Sequence, residues 1–212
     1  MNNEKVFIIG LPRTGTTSVC SKLLTLGYRV AHTAYTQNAF DQAQVIADTP
    51  IFCDYPLLDK YYPNSKFIYL TRAMESWLPS IKQLLQRMYI NIVRSDGGFN
   101  PIIKRSYQQV FTPFNQQNIN SDEFLAACYQ RHIAEVSDYF SVTPKKLFTL
   151  DVSQPETFEQ LHQFLQLPQP ITKFDRLNVG GKITAWKDLT HPNKIASTRN
   201  GKSSALNYFN NV

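Results

Sequence analysis

Nine residues from Gly10 to Ser18, GLPRTGTTS, hold two glycines, one cation and four hydroxyls. Gly10 and Gly15 stand at the G-x-x-x-x-G spacing of a loop that cradles a phosphate. The chemistry this suits is anion binding. A glycine turn lets the backbone approach a phosphate closely. A helix opening behind it presents unpaired N–H groups and the positive end of its dipole. Thr14, Thr16, Thr17 and Ser18 add donors, and Arg13 adds charge.

A second cation stands at the end of another apolar stretch. Lys66 to Arg72, KFIYLTR, reads as a buried strand, and Arg72 falls at its carboxyl end. In an open parallel sheet, ligands bind outside the carboxyl ends of the strands. Gly10 follows the apolar run Val6 to Ile9 in the same way, so the loop and Arg72 occupy equivalent places. The loop departs from the nucleoside triphosphatase pattern in one respect. Gly15 is followed by Thr16, where that pattern has the lysine that reaches the β- and γ-phosphates. A phosphate site without the usual triphosphatase chemistry is expected.

The elements that must position these residues follow from hydrophobic periodicity. Val6 to Ile9 is a strand covered on both faces. Thr16, Thr17 and Ser18 open a helix carrying Leu23, Leu24 and Leu26, with Gly27 as its C-cap. Tyr28 to His32 reads as a second short strand and Tyr35 to Ala47 as a helix. Pro56 to Tyr62 reads as a short helix after the break at Asp48-Thr49-Pro50. Met74 to Val93 is a long helix with Trp77, Ile81, Leu84, Leu85 and Met88 as its apolar stripe. The polar stretch from Ser95 to Asn120 reads as a loop or lid, with core packing as the equal alternative. A helix follows over Asn120 to Ser141, with Asn120 and Glu123 as a capping-box pair and His132 on its face. Leu147 to Val152 is a strand and Thr157 to Leu167 a helix. Beyond Ile171 the pattern fades, and residues 183–212 read as a mobile tail. Strands alternating with helices predict an α/β fold of three layers, α/β/α, around a central parallel sheet.

Composition sets the outer bounds. At 212 residues one domain spanning 1–212 is the default. Net charge +6 and pI near 9.2 suit an anionic ligand. The Lys and Arg residues are scattered without a nucleic-acid motif, so nucleic acid is not expected as a partner. Cys20, Cys53 and Cys128 are odd in number and widely spaced, which favours a reducing compartment over a zinc site. The opening MNNEKVFIIG has too short an apolar run for a signal peptide or membrane span, and a cytoplasmic location is expected.

Pro12-Arg13-Thr14-Gly15-Thr16-Thr17-Ser18 resembles the 5′-phosphosulfate loop of sulfotransferases that use 3′-phosphoadenosine 5′-phosphosulfate (PAPS). KFIYLTRAMESWLPSI is similar to the family segment whose arginine and serine hold the 3′-phosphate, here Arg72 and Ser80. The resemblance covers Val6 to Val93 well and Leu147 to Lys182 loosely. It implies a P-loop-like sulfotransferase fold, PAPS as cosubstrate, adenosine 3′,5′-bisphosphate (PAP) as product, no metal, and a small-molecule or glycan acceptor. By position, Asp48 in ADTP is the implied base, with Asp54 and His32 as alternatives. Arg13 is implied at the leaving oxygen. Lys182 in FDRLNVGGK, or the rival segment Arg199 to Lys202, is implied at the nucleotide. Arg13 replaces the lysine commoner in the eukaryotic cytosolic members, and the chain is short. A nucleotide kinase with a degenerate loop and a non-catalytic PAP-binding protein stand as rival readings.

Overall fold

A computed structural model of the chain describes residues 4–174, 178–179, 182–183, 186–196, 206 and 208. Five parallel strands form the central sheet, β1 (Val6–Ile8), β2 (Val30–His32), β3 (Val45–Ala47), β4 (Lys66–Thr71) and β5 (Leu147–Asp151), in the order β2-β3-β1-β4-β5. Side chains alternate across this sheet. Val6, Ile8, Val45, Ala47, Ile68 and Leu70 pack against helices α1 (Thr16–Thr25) and α8 (Phe158–Leu165). Phe7, Ile9, Ile46, Phe67 and Tyr69 pack on the opposite face. There they meet α2 (Gln37–Gln42), α3 (Ile51–Tyr61) and α7 (Asp122–Tyr139). This is the α/β/α sandwich expected. The chain leaves β1 toward β2 on one side and later crosses to β4 on the other. A crevice therefore opens at the carboxyl end of β1.

Four expectations are corrected. Residues Tyr35 to Ala47 are not one helix. The helix starts after Thr36, whose hydroxyl accepts from the Ala39 amide, and ends at Gln42. Val45–Ala47 then runs as β3, buried between β2 and β1. The helix read from Pro56 begins earlier, at Ile51. The helix read from Asn120 begins at Asp122, with Ser121 as its cap accepting from Phe124 N–H. The stretch read as a loop or lid is largely helical. It forms α5 (Pro101–Val110) and α6 (Gln116–Asn120). Tyr107, Phe111 and Ile119 join Trp77, Ile81 and Leu85 of α4 (Met74–Val93) in a third apolar cluster.

His132 is buried at the junction of α3, β4 and α7. Pro56 has no N–H to give the Phe52 carbonyl four residues earlier. His132 Nε2 donates to that carbonyl at 2.6 Å, and Nδ1 accepts from the Tyr69 hydroxyl at 3.1 Å. Burial pushes its pKa down to about 4 from the ordinary 6.5. The unfolded chain thus takes the proton first as pH falls. Stability is full above the ordinary value and is lost on the way down to the folded one, by up to roughly 3 kcal/mol. His32 shifts in the same direction. His132→Gln should start less stable at neutral pH, yet lose less Tm than wild type on acidification to about pH 4. Parallel thermal-melt slopes would contradict this.

Candidate functional site

The loop after β1 is fixed before any ligand arrives. A Cβ on Gly10 would lie 2.5 Å from Leu70 Cβ, so only glycine lets the loop start against β4. Gly15 takes φ 107° as the N-cap of α1, and no side chain closes that helix's first turn. Its leading amides face the crevice, as an anion site needs. Thr14 turns inward. Its hydroxyl donates to the Leu11 carbonyl at 2.7 Å, which makes it a brace of the loop rather than a free donor. Trp77 Nε1 donates to Pro12 O at 3.0 Å and holds the loop to α4.

Arg13 has φ 76°, a left-handed conformation that turns its side chain toward α4. Arg13 Nε donates to Ser80 Oγ at 2.8 Å, and Arg72 Nη1 donates to Arg13 O at 2.9 Å. Three residues predicted as phosphate ligands, from two separate stretches, are thereby brought together. Burial, followed by the charges of Arg87 and Arg72, lowers the Arg13 pKa from its ordinary value. Cations packed this closely repel one another, and a bound anion relieves that repulsion. Tyr129 sets Arg72 in place. Its hydroxyl accepts from the Arg72 amide at 2.8 Å and donates to the Arg72 carbonyl at 3.1 Å. The sequence reading missed Tyr129, and nothing local marks it.

On the other side of the loop, β2 and β3 end in parallel, with His32 opposite Ala47. Thr33 and Asp48 follow with φ 68° and 66°. Such backbone in non-glycine residues costs energy and gathers at functional sites. It aims His32 and Asp48 at each other. His32 Nδ1 lies 3.6 Å from Asp48 Oδ2 and 3.1 Å from Thr33 Oγ1. His32 Nε2 lies 3.3 Å from Thr16 Oγ1 and 3.5 Å from Thr17 Oγ1. Burial lowers the His32 pKa, Asp48 opposes that, and Lys194 adds to it. Asp48 also receives the Thr49 hydroxyl at 3.3 Å. Burial, with the nearby charge of Asp48 adding to it, raises the pKa values of Tyr107 and Tyr35 and keeps their hydroxyls protonated. Two of the three base candidates therefore form one pair beside the loop.

Asp54, the third candidate, is engaged elsewhere. Arg105 grips it with two nitrogens at 2.8 and 2.7 Å, and Tyr208 donates to it at 2.9 Å. It is 2% exposed and ties α3 to α5 and to the C-terminal segment. Asp54→Ala takes the carboxylate from a part-buried guanidinium and from the buried Tyr208 hydroxyl, and should cost roughly 2 kcal/mol in urea unfolding. An unchanged unfolding midpoint would mean that the ion pair contributes nothing net.

Other expectations fall out differently. Lys182 belongs to a two-residue strand, β7 (Lys182–Ile183), paired with β6 (Asn178–Val179). Its side chain and the rival segment 199–202 lie outside the described residues. The tail is docked where it is described. Val30 pairs with Lys194 at the free edge of β2, and Leu206 and Tyr208 are buried. All three cysteines are buried free thiols. No three or more His, Cys, Asp or Glu side chains cluster as metal ligands among the described residues. No described helix is long and apolar enough to cross a membrane.

No curated protein matches the chain significantly. A family model described as a sulfotransferase domain matches residues 5–39 and 33–183. That span contains the loop, the arginine pair and the His32–Asp48 pair, and the chain belongs to the sulfotransferase domain family.

Proposed function

We propose that the protein transfers a sulfuryl group from PAPS to a hydroxyl or amine of a small-molecule or glycan acceptor and releases PAP. The observation that carries this is the convergence of Arg13, Ser80 and Arg72 at the loop, beside the His32–Asp48 pair. The first-turn amides of α1 and the hydroxyls of Thr16, Thr17 and Ser18 hold the 5′-phosphate. Arg72 and Ser80 hold the 3′-phosphate, a group that ATP lacks. The bond between sulfur and the 5′-phosphate oxygen breaks as the bond from sulfur to the acceptor forms. Arg13 stabilises the charge that grows on the leaving oxygen. Asp48 takes the acceptor proton, and its side chain, 18% exposed, faces the crevice where an acceptor can reach it. Positioning and charge stabilisation supply most of the acceleration, as in phosphoryl transfer.

The test is PAP release from PAPS across a panel of phenols, alcohols, amines and glycans. Acceptor-dependent PAP release supports the assignment. Phosphoryl transfer or hydrolysis with Mg-ATP, and none with PAPS, would replace it with a kinase. PAP binding without turnover on any acceptor would make the protein a PAP-binding module.

A further inference from the structure

The tail was expected to be loose, yet part of it lies on the candidate base pair. The Trp186 ring stacks on the His32 ring, with centroids 5.3 Å apart and planes at 22°. Trp186 opens a short 3-10 turn, Trp186–Asp188. Lys194 ties that turn down. Its Nζ donates to the carbonyls of Trp186 and Leu189, each at 2.6 Å, and sits 5.3 Å from the indole centroid. The same stretch is clipped to β2, the strand that ends in His32. Val30 N–H donates to Asn193 O at 3.0 Å, and Ile195 N–H donates to Val30 O at 2.9 Å. Asn193 also reaches back to Gly27 O at 3.0 Å. The clip therefore fixes the ring against the strand that ends in His32.

The stacked indole restricts how the imidazole can turn. With one face covered, the ring keeps Nδ1 toward Asp48 and Thr33, and Nε2 toward Thr16 and Thr17. It also removes water from the histidine, which is left 8% exposed. We infer that Trp186 is a positioning residue for the transfer site, holding His32 edge-on between Asp48 and the first turn of α1.

The role follows from stacking and desolvation together. A buried imidazole that stays neutral keeps a fixed partner geometry, whereas one that charges would turn its added N–H on a neighbour. Around His32, Asp48 at the end of β3 favours the charged form, and Lys194 on the edge clip disfavours it. Trp186 carries no charge and acts by excluding water. Its removal should let His32 charge at a higher pH.

The inference rests on the proposed transfer reaction only for its activity arm. The direct test is an NMR titration of the imidazole signals of wild type, Trp186→Phe and Trp186→Ala, needing neither PAPS nor acceptor. The chain has four histidines to assign. In wild type, the His32 ring protons should be shifted upfield by the indole, and His32 should titrate below the ordinary histidine range. Trp186→Phe should keep most of that behaviour, and Trp186→Ala should move the titration up toward pH ~6.5. With PAPS and an active acceptor, Trp186→Ala should lower kcat about tenfold and move the acid limb of kcat/KM upward. PAP affinity should stay within about twofold, since Arg13, Arg72 and Ser80 are untouched. If His32 titrates alike in all three proteins, or wild type shows no ring-current shift, the inference fails. The wild-type shift decides the matter even if Trp186→Ala does not fold. A changed titration without any PAPS turnover would uphold the positioning role and overturn the proposed reaction instead.

Discussion

Replacing Asp48 by Asn should lower turnover by roughly 10²- to 10⁴-fold and leave PAP affinity close to that of wild type. The side chains are nearly the same shape, so the loop and the arginine pair should hold their places. What the amide cannot do is accept the acceptor proton. Asp48 sits at a strained backbone position beside His32, with one oxygen taking the Thr49 hydroxyl and the other facing the imidazole. The measurement is initial-rate kinetics of PAP release with the best acceptor, paired with PAP titration of the same variant. Unchanged kcat would move the base to His32. A parallel loss of PAP affinity would make Asp48 part of the scaffold instead.

Arg72→Ala carries the second large effect. Arg72 is the only one of the two site arginines that sits at the end of β4, with its amide and carbonyl both held by Tyr129. Losing a charge-assisted contact to a terminal phosphate should weaken PAP about 100-fold. Adenosine 5′-monophosphate lacks the 3′-phosphate and should weaken only a few-fold, through the lost bond to Arg13 O. The ratio of the two affinities is the readout. Equal losses for both nucleotides would make Arg72 a brace of the loop and not a 3′-phosphate ligand.

How much of this the sequence showed depends on how local each feature is. The β1–loop–α1 unit and β4 were legible because each is one continuous stretch with an apolar run and a terminal signal. Gly10, Arg13 and Arg72 were found for the same reason. The strand Val45–Ala47 was not. Three residues buried on both faces show no alternation, and Phe40, Ala43 and Ile46 also fit a helical stripe. That one error hid how His32 and Asp48, both named as base candidates, come together. His32 and Asp48 meet because β2 and β3 run in parallel register, with His32 opposite Ala47, and no spacing rule joins two residues across such a pairing. The inward turn of the Thr14 hydroxyl is a matter of loop conformation. Tyr129, Trp186 and Tyr208 reach the site or its supports from distant elements, so their roles are set by packing. Asp54 stood in sequence as an alternative to Asp48, and only the fold shows it bound to Arg105.

On the proposed reaction, the arginine cluster recognises a nucleotide carrying both a 5′- and a 3′-phosphate. Calorimetric titration with PAP, run beside adenosine 5′-monophosphate and ATP with and without Mg²⁺, tests it most directly. PAP should bind tightly, the monophosphate roughly 100-fold or more weakly, and ATP should gain nothing from Mg²⁺. Preference for Mg-ATP over PAP would contradict it.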